Sequence, residues 1–453
     1  MRDSNTEQAF EDVLEGKNVL IHGSAGTGKS TFIKSIVDVF GDSTMLLAPT
    51  GLSSINIGGQ TIHSAFKMPI KTVFDPKDIK SRKHLRELFK TNIVRRIVMD
   101  ECGMVTSSTM FFIDKTLQKI MGNRLPFGGI QVILVADFLQ LGCIVPIDQR
   151  KDYFKAYGYP EAFMYKKWND LNLSMHNLTV IHRQKDPVFS SALNRMRLGQ
   201  TTREDLDYFN SRLRKNTDSP IICTSNKRAS VVNDQRLSEL KGFSKTYRAT
   251  RSGSFKETPV PENLELKIGA KVVICMNNTT ASDDDKKYVN GDVGYVVDMQ
   301  SSYIKVDTER LGIVKVSKAT YNQYEFKPVM KNEQEFKMTY GDEVPKDFKP
   351  MMGNGQEFTE DEKSDAELEK CIVGSYTQIP VKLFYAGTTH KSQGLTLDRA
   401  HVDLEWKVFC EALPYVAISR VRTLEGLTLE RPLRLDDIKV NKRCVDFVLS
   451  GGN

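Results

Sequence analysis

The sequence predicts an α/β protein with two parallel-sheet domains and a β-rich insertion in the second. Three observations predict this fold class. Short apolar runs alternate with amphipathic stretches in the first half, the same alternation returns towards the C-terminus, and short alternating runs fill the stretch from about 248 to 375. A parallel sheet is covered by helices on both faces, so its strands appear as continuous apolar runs.

The first half contains four such runs, which we interpret as buried parallel strands: "NVLIH" (18–22), "TMLLA" (44–48), "RRIVMD" (95–100) and "QVILVA" (131–136). A second set predicts another sheet: "PIICTS" (220–225), "VKLFYA" (381–386) and "AHVDL" (400–404), followed by a helix around Leu413–Arg420. Helices between the runs fit a doubly wound domain.

The stretch between these two parts of the second set has a different pattern. Runs such as "AKVVICM", "GDVGYVVDM" and "GIVKVS" alternate apolar and polar residues and are separated by Gly and Asn. This pattern predicts a small antiparallel barrel or sheet inserted into the second α/β domain. Residues 341–370 carry ten acids against four Lys, a net charge of −6, and predict a mobile surface loop.

Composition limits the class of protein. The 453 residues include 27 % charged and 9 % aromatic residues, with 64 Lys and Arg against 57 Asp and Glu, a net charge of +7. This is an ordinary globular composition, and no apolar run is long enough to predict a membrane-spanning helix. The seven cysteines include no CxxC pair, which predicts reduced thiols rather than disulfides or a zinc site. The only metal we expect is one that accompanies a nucleotide.

The string "GSAGTGKST" predicts a nucleotide site. It fits G-x-x-x-x-G-K-[ST] directly after an apolar strand and opens a helix. Backbone N–H groups in such a loop surround phosphates, Lys29 would reach the β- and γ-phosphates, and the Ser30 hydroxyl would ligate Mg²⁺. The predicted ATP-binding residues are Gly23, Ser24, Ala25, Gly26, Thr27, Gly28, Lys29, Ser30 and Thr31.

Acidic and polar side chains at two later strand ends predict hydrolysis. Asp100 would hold Mg²⁺ while Glu101 takes a proton from the attacking water. The next predicted strand ends near Asp137 and Gln140, where a polar side chain would lie beside the γ-phosphate. The alternative at both places is a solvated strand end, which is routinely polar.

Eight motifs in order give the chain a family resemblance. It resembles the petite-integration-frequency (PIF) DNA helicases of superfamily 1B, related to RecD and the phage helicase Dda. The motifs are "GSAGTGKS", "APTGLSSINIGGQTIHSAF", "DECGM", "FGGIQVILVADFLQL", "HRQKDPVFSSALNRMRLG", "VNGDVGYV", "THKSQGLTLD" and "YVAISRVRTLEGL".

The resemblance implies two RecA-like P-loop domains with an SH3-like insertion. The first domain would span 1–175, the second 176–247 and 376–453, and the insertion 248–375. An arm at 67–92, between the second and third strands, would carry a pin that splits the duplex. Phe74 and His84 are its candidate wedge residues, with a plain solvated basic helix as the alternative.

The resemblance also implies an ATP-dependent motor that translocates 5′→3′ on single-stranded DNA and unwinds forked duplex DNA, active as a monomer. Arg183 and Arg420 would reach the γ-phosphate from the second domain, where charge develops during phosphoryl transfer. Gln393 and Gly394 would lie near the nucleotide, and Gln8 would contact the adenine.

Contacts with the DNA backbone are implied for two motifs, and such contacts carry no base information. The residues are Thr50, Gly51, His63, Ser64, Thr389, His390 and Ser392. The chain outside 341–370 carries a net charge of +13, and residues 71–96 hold nine Lys and Arg against three acids. We expect this positive charge to line a single-strand channel.

Two motifs depart from the family pattern. Gly103 stands where a Ser is usual, Ala136 replaces the Gly before Asp137, and Gly142-Cys143 replaces two prolines. Hydrolysis should survive, but the coupling between nucleotide state and DNA grip is open. The alternatives are therefore an ATP-driven single-strand clamp or protein-displacing remodeller and, third, a P-loop phosphotransferase. The compact chain also leads us to expect a cytoplasmic protein of a bacterial cell or phage-infected host, with the nucleus or a mitochondrion as alternatives.

Overall fold

The computed structural model describes residues 4–69, 71–181, 183–184, 186–215, 219–253, 255, 258–278, 288, 290–330, 366–389, 392–393 and 395–451. Most of the predicted loop at 341–370 lies outside these residues. Within them the chain forms two helix-covered parallel sheets and a set of antiparallel sheets, as the sequence predicts.

The first parallel sheet carries the nucleotide motifs. Its strands are β1 (Val19–Gly23), β2 (Thr44–Ala48), β3 (Gln60–Thr61), β4 (Arg96–Met99), β5 (Gln131–Ala136) and β6 (Ser174–Leu178). The spatial order is β3-β2-β4-β5-β1-β6, with every pairing parallel. The neighbours β4, β5 and β1 therefore bring their carboxyl ends to one edge of the sheet.

Helices cover both faces of this sheet: α1 (Ser4–Leu14), α2 (Lys29–Phe40), α3 (Gly51–Asn56), α4 (Ile62–Ala65), α5 (Lys83–Lys90), α6 (Ser107–Met121) and α7 (Arg150–Tyr157). The longest, α6, begins where the Thr106 hydroxyl accepts a hydrogen bond from the Thr109 N–H at 3.2 Å. It ends at Gly122, whose left-handed φ of 71° suits glycine.

The second parallel sheet has the order β18-β7-β19-β20. Its strands are β7 (Ile221–Cys223), β18 (Ala386–Thr388), β19 (Ala400–Asp403) and β20 (Leu427–Leu429). The helices of this half are α8 (Pro187–Arg197), α9 (Arg203–Asn210), α10 (Asn226–Glu239), α11 (Leu413–Ile418) and α12 (Lys442–Leu449).

The region between β7 and β18 is antiparallel. Its strands are β8 (Ser244–Arg248), β9 (Thr250–Gly253), β10 (Asn263–Lys267), β11 (Lys271–Ile274), β12 (Val293–Met299), β13 (Tyr303–Thr308), β14 (Gly312–Ser317), β15 (Ala319–Met330), β16 (Ala366–Gln378) and β17 (Val381–Leu383). They form sheets ordered β14-β13-β12-β11-β17, β15-β16-β9 and β10-β8.

The run "VKLFYA" is not one parallel strand, as predicted, but two. β17 pairs antiparallel with β11 of the insertion, whereas β18 joins the second parallel sheet beside β7. The chain changes sheets at Phe384, which is buried. Sheet membership thus extends the insertion from 248–375 to Ser244–Leu383, and β6 carries the first sheet past residue 175 to Leu178.

The predicted arm at 67–92 packs against the first domain. Phe74 is 7 % exposed, and its ring lies 4.8 Å from that of Phe112. The prediction of Phe74 as a wedge is therefore wrong, because a core side chain has no surface to offer a base pair. His84 is partly exposed, and its ring nitrogen lies 3.2 Å from the Ala65 carbonyl oxygen. The strand β15 lies against α5 and α3, so the insertion touches this arm.

Helix α12 lies on the first domain, although the sequence prediction assigned 376–453 to the second. The ring of Phe447 stacks on Phe163 at 4.1 Å and meets Phe138 edge-on at 5.2 Å. The Glu161 carboxylate accepts hydrogen bonds from Asn441 and Arg443, each at 2.7 Å. These aromatic contacts join the end of the chain to the first core.

Throughout the described ranges, no helix combines the length and the apolar character needed to cross a bilayer.

Replacing Phe447 with Ala should lower the free energy of unfolding by about 3 kcal/mol, because a buried aromatic ring leaves a cavity. Urea titration monitored by tryptophan fluorescence measures this, since Trp168 lies 5.9 Å from the Phe447 ring. Phe243→Ala is the matched control: that ring is 78 % exposed and should change stability by less than about 0.5 kcal/mol. Equal effects of the two variants would contradict the packing described for α12.

Candidate nucleotide site and nucleic-acid interface

The predicted phosphate loop lies between β1 and α2, the arrangement that the motif requires. Gly26 and Gly28 have φ angles of 84° and 92°, the left-handed region that favours glycine. Helix α2 begins at Lys29, so its free N–H groups face the loop and favour an anion there. The Lys29 ammonium donates to the carbonyl oxygens of Gly23 and Ser24, both at 2.9 Å.

The paired acids lie at the end of β4, beside this loop. The Asp100 carboxylate accepts the N–H of Glu101 at 2.9 Å. Glu101 has a φ of 51°, an uncommon left-handed conformation for a residue with a side chain. Burial, with the adjacent Asp100 charge, raises the pKa of Glu101 to about 7. A carboxylate with such a pKa suits proton transfer near neutral pH.

Asp137 and Gln140 lie together after β5. Asp137 is buried, and its carboxylate accepts hydrogen bonds from the Gln140 amide at 2.8 Å and the Leu139 N–H at 3.2 Å. Burial alone would raise the pKa of Asp137, but the nearby charges of Arg197 and Lys29 outweigh it and hold the pKa below its usual value. Asp137 is therefore an anion that fixes Gln140.

Both predicted arginines belong to the second domain, and both lie beside the phosphate loop. A side chain at Gly26 would place its Cβ 2.5 Å from the Cβ of Arg183, so only glycine permits this approach. The Arg183 guanidinium lies 3.5 Å from the Ser419 carbonyl oxygen. Burial, followed by the charge of Arg420, lowers the pKa of Arg183 to about 9.

Arg420 is 1 % exposed, an unusual burial for an arginine. Its guanidinium donates to the Val416 carbonyl oxygen and the Ser419 hydroxyl, both at 2.8 Å. The charge of Glu101, on the opposite side of the cleft, interacts with it. Tyr415, one helical turn earlier, is hydrogen-bonded to the backbone of Ala25 in the phosphate loop.

The sequence analysis missed Arg197 and His22. Arg197 donates to Asp137 at 2.9 Å, and its guanidinium also lies 3.4 Å from a ring nitrogen of His22. Burial lowers the pKa of His22 to about 4, so this imidazole is neutral. Arg197 stands inside the motif "HRQKDPVFSSALNRMRLG", but nothing in the sequence indicates that its partner lies across the cleft.

Ser30 and Asp100 offer the oxygen donors that Mg²⁺ prefers. Ser30 is exposed in the first turn of α2, and Asp100 uses one carboxylate oxygen for the Glu101 N–H. Across the described part of the chain, no group of three or more His, Cys, Asp or Glu is arranged for a metal. A single hydroxyl and a single carboxylate therefore fit an ion whose remaining ligands are phosphate and water.

The predicted DNA contacts in the first domain lie at helix N-termini. Thr50 caps α3, and its hydroxyl accepts the Ser53 N–H at 3.2 Å. Gly51 begins that helix, whereas His63 and Ser64 lie in α4, where His63 is exposed. The exposed side chain of His63 suits a phosphate contact.

The fifth motif differs from prediction. Thr389 and Ser392 are completely buried, and their hydroxyls donate to the carbonyl oxygens of Cys223 and Thr389 at 3.2 and 2.8 Å. Their side chains therefore have no surface for DNA in this structure, a correction to the sequence prediction. His390 and Gly394 lie outside the described residues, and Gln393 is partly exposed.

The remaining prediction, an adenine contact by Gln8, stays a prediction. Gln8 lies on the exposed side of α1.

The family model described as PIF1-like helicase matches residues 3–207. The ATP-dependent DNA helicase PIF1 of Xenopus laevis is 30 % identical over 445 residues, covering 93 % of this chain and 60 % of that protein. The chain thus spans about 60 % of the length of this relative and 58 % of a similar one from Danio rerio.

Two solved structures of Bacteroides Pif1 are each 26 % identical to this chain. Each match covers 99 % of this chain and 97 % of the solved chain. The complex with ADP-AlF4 gives a TM-score of 0.85, whereas the structure bound to single-stranded DNA gives 0.65. The domain arrangement described here therefore matches the former more closely. In its motifs and its fold, the chain is therefore similar to the PIF1-like helicases.

Proposed function

We propose that this chain is an ATP-dependent DNA helicase that translocates 5′→3′ on single-stranded DNA and unwinds duplex DNA. The observation that carries the proposal is the composition of the cleft. The phosphate loop and Glu101 lie on one side, while Arg183 and Arg420 reach the same place from the other. Because these catalytic groups come from two domains, hydrolysis depends on the position of one domain relative to the other.

The chemistry follows from the residues of the cleft. ATP would bind with its phosphates in the loop at Gly23–Thr31, where backbone N–H groups and Lys29 neutralise them. Ser30 and Asp100 would hold Mg²⁺, which would supply positive charge to the phosphates. Glu101 accepts a proton from the attacking water. Gln140 orients that water, and the hydrogen bond from Gln140 to Asp137 holds the Gln140 side chain in place.

Arg183 and Arg420 stabilise the transition state. Charge grows on the transferring phosphoryl oxygens, and guanidinium groups held in a dry cleft interact with it more strongly than in water. Arg420 is buried and Arg183 is partly buried, and both are bonded to carbonyl and hydroxyl oxygens rather than to carboxylates. They are thus prepared for an anion before it arrives.

Movement along DNA follows from the same division. When hydrolysis removes the γ-phosphate, the arginines lose their shared anion and the cleft can open. The strand would be held in the first domain through Thr50, Gly51, His63 and Ser64. The Bacteroides structure with single-stranded DNA supports this partner, and activity as a monomer is part of the proposal.

The second candidate is an ATP-driven clamp or protein-displacing remodeller. The observation that favours it is the altered motif after β5. Gly142 and Cys143 stand where two prolines are usual, and glycine leaves the backbone more conformational freedom than proline does. A freer segment would loosen the link between hydrolysis and strand movement.

Replacing Lys29 with Ala should lower ATP turnover at least about 100-fold, because the phosphates lose their main positive charge. Binding of a labelled single strand should stay within about threefold, since phosphate contacts elsewhere supply that affinity. Phosphate release and fluorescence anisotropy measure the two. Lys34→Ala, an exposed lysine on the same helix, is the control and should behave as wild type. Unwinding by the Lys29 variant would disprove the site assignment.

ATP turnover should rise about tenfold from pH 6 to pH 8, because Glu101 must lose its proton to act as a base and its pKa is about 7. Steady-state rates at saturating ATP and DNA measure this. In Glu101→Gln the remaining activity should be low and independent of pH. The exposed Glu239→Gln should keep the wild-type profile. A flat wild-type profile would exclude Glu101 as the titrating base.

Direction and unwinding require a separate experiment. A fluorescent duplex with a 5′ single-stranded tail should be separated in an ATP-dependent reaction, whereas the same duplex with a 3′ tail should remain paired. Streptavidin bound to a biotin-labelled single strand serves as a parallel substrate. Displacement of streptavidin without separation of either duplex would favour the remodeller.

A further inference from the structure

The interaction between Arg197 and Asp137 joins the two halves of the chain inside the protein. Arg197 ends α8 of the second half, and Asp137 follows β5 of the first. One guanidinium nitrogen donates to one carboxylate oxygen at 2.9 Å, and the two side chains are 9 % and 0 % exposed. Buried opposite charges depend strongly on each other, because neither is solvated on its own.

The second oxygen of the same carboxylate holds Gln140. The Gln140 amide donates to it at 2.8 Å, so Asp137 lies between Arg197 and Gln140, the side chain proposed above to orient the attacking water. The three residues form a short relay from the second half of the chain to the hydrolytic site of the first.

The surroundings of Arg197 leave Asp137 as its main anion. Arg197 lies 3.5 Å from the Asn194 amide oxygen and has the Tyr415 ring 5.9 Å from its guanidinium carbon. The nearby His22 is neutral, and the Lys29 ammonium adds a like charge. Each of these neighbours either solvates Arg197 weakly or repels it.

The geometry of the contact between Arg197 and Asp137 allows it to break when the two domains move apart. Only one guanidinium nitrogen reaches the carboxylate, and Nε is buried without a partner among the described residues. On the same helix, Arg195 meets Asp205 through two nitrogens, at 2.8 and 2.5 Å, within the second half. Two-point pairs resist separation more than single contacts do.

We propose that Arg197 is a positioning residue for hydrolysis, which holds Asp137 and through it Gln140 when the two halves are closed. This proposal rests on the proposed function. Through this relay, the position of the second domain affects the Gln140 side chain of the first domain. This effect is separate from that of the arginines proposed to contact the phosphate. Opening the cleft would withdraw Arg197 and free the Gln140 side chain.

The experiment compares a transition-state analogue with the product. In Arg197→Ala we expect affinity for ADP with aluminium fluoride to fall at least tenfold, while affinity for ADP alone stays within about twofold. The kcat of DNA-stimulated ATP hydrolysis should fall at least tenfold with little change in KM. Arg195→Ala, which breaks the ion pair inside the second half, should keep the wild-type kcat.

A double-variant cycle tests whether Arg197 acts through Asp137. Asp137→Asn should lose kcat as Arg197→Ala does, and the double variant should be no slower than the slower single variant. Multiplied losses would show that Arg197 acts on the nucleotide directly and would overturn the proposal.

Folding and the proposed function are tested separately. Thermal melting identifies a variant that has unfolded, and Arg197→Gln, which keeps the side-chain length without the charge, then replaces Arg197→Ala. Wild-type kcat in a folded Arg197 variant would overturn the relay and leave the helicase proposal intact. A wild-type protein that hydrolyses no ATP in the presence of DNA would overturn both.

Discussion

Charge buried between two halves of the chain is the constraint on which this structure depends. Arg420, Arg197 and Asp137 are each withdrawn from water, and a buried charge is tolerated only beside a partner or dense hydrogen bonding. Asp137 finds its cation in the other half, and Arg420 interacts across the cleft with Glu101. Closure of the cleft therefore pairs these side chains out of water, and opening it would separate the pairs and return the charges to solvent.

The parallel sheet makes this concentration of charge possible. Residues separated by more than 100 positions in the chain meet because β4, β5 and β1 are neighbours and end at the same edge. Lys29 follows β1, Glu101 follows β4 and Gln140 follows β5. Ligands bind at such edges in open α/β sheets, where loops can vary without disturbing the strands. The unusual backbone of Glu101 lies at this edge too.

The sequence predicted what depends on local pattern and missed what depends on distant contacts. The phosphate loop at Gly23–Thr31 and the strands around it follow from spacing and hydropathy. The partner of Arg197 does not, because 60 residues separate it from Asp137. Phe74 was predicted as a wedge because it is an aromatic residue in the predicted arm, yet it packs against Phe112, 38 residues later in the chain. The division of "VKLFYA" between two sheets likewise depends on which strands become its neighbours.

The position of α12 has a mechanical consequence. The chain passes from the first core to the second between β6 and α8, and returns between β20 and α12. Two bodies joined at a single point can swivel in any direction, whereas two attachments confine them to rotation about the line between those attachments. The two attachments therefore restrict the relative movement of the two cores to rotation about one hinge axis. Under the proposed function, each turnover would repeat the same rotation, and the stacked rings of Phe163 and Phe447 would lie at one end of its axis.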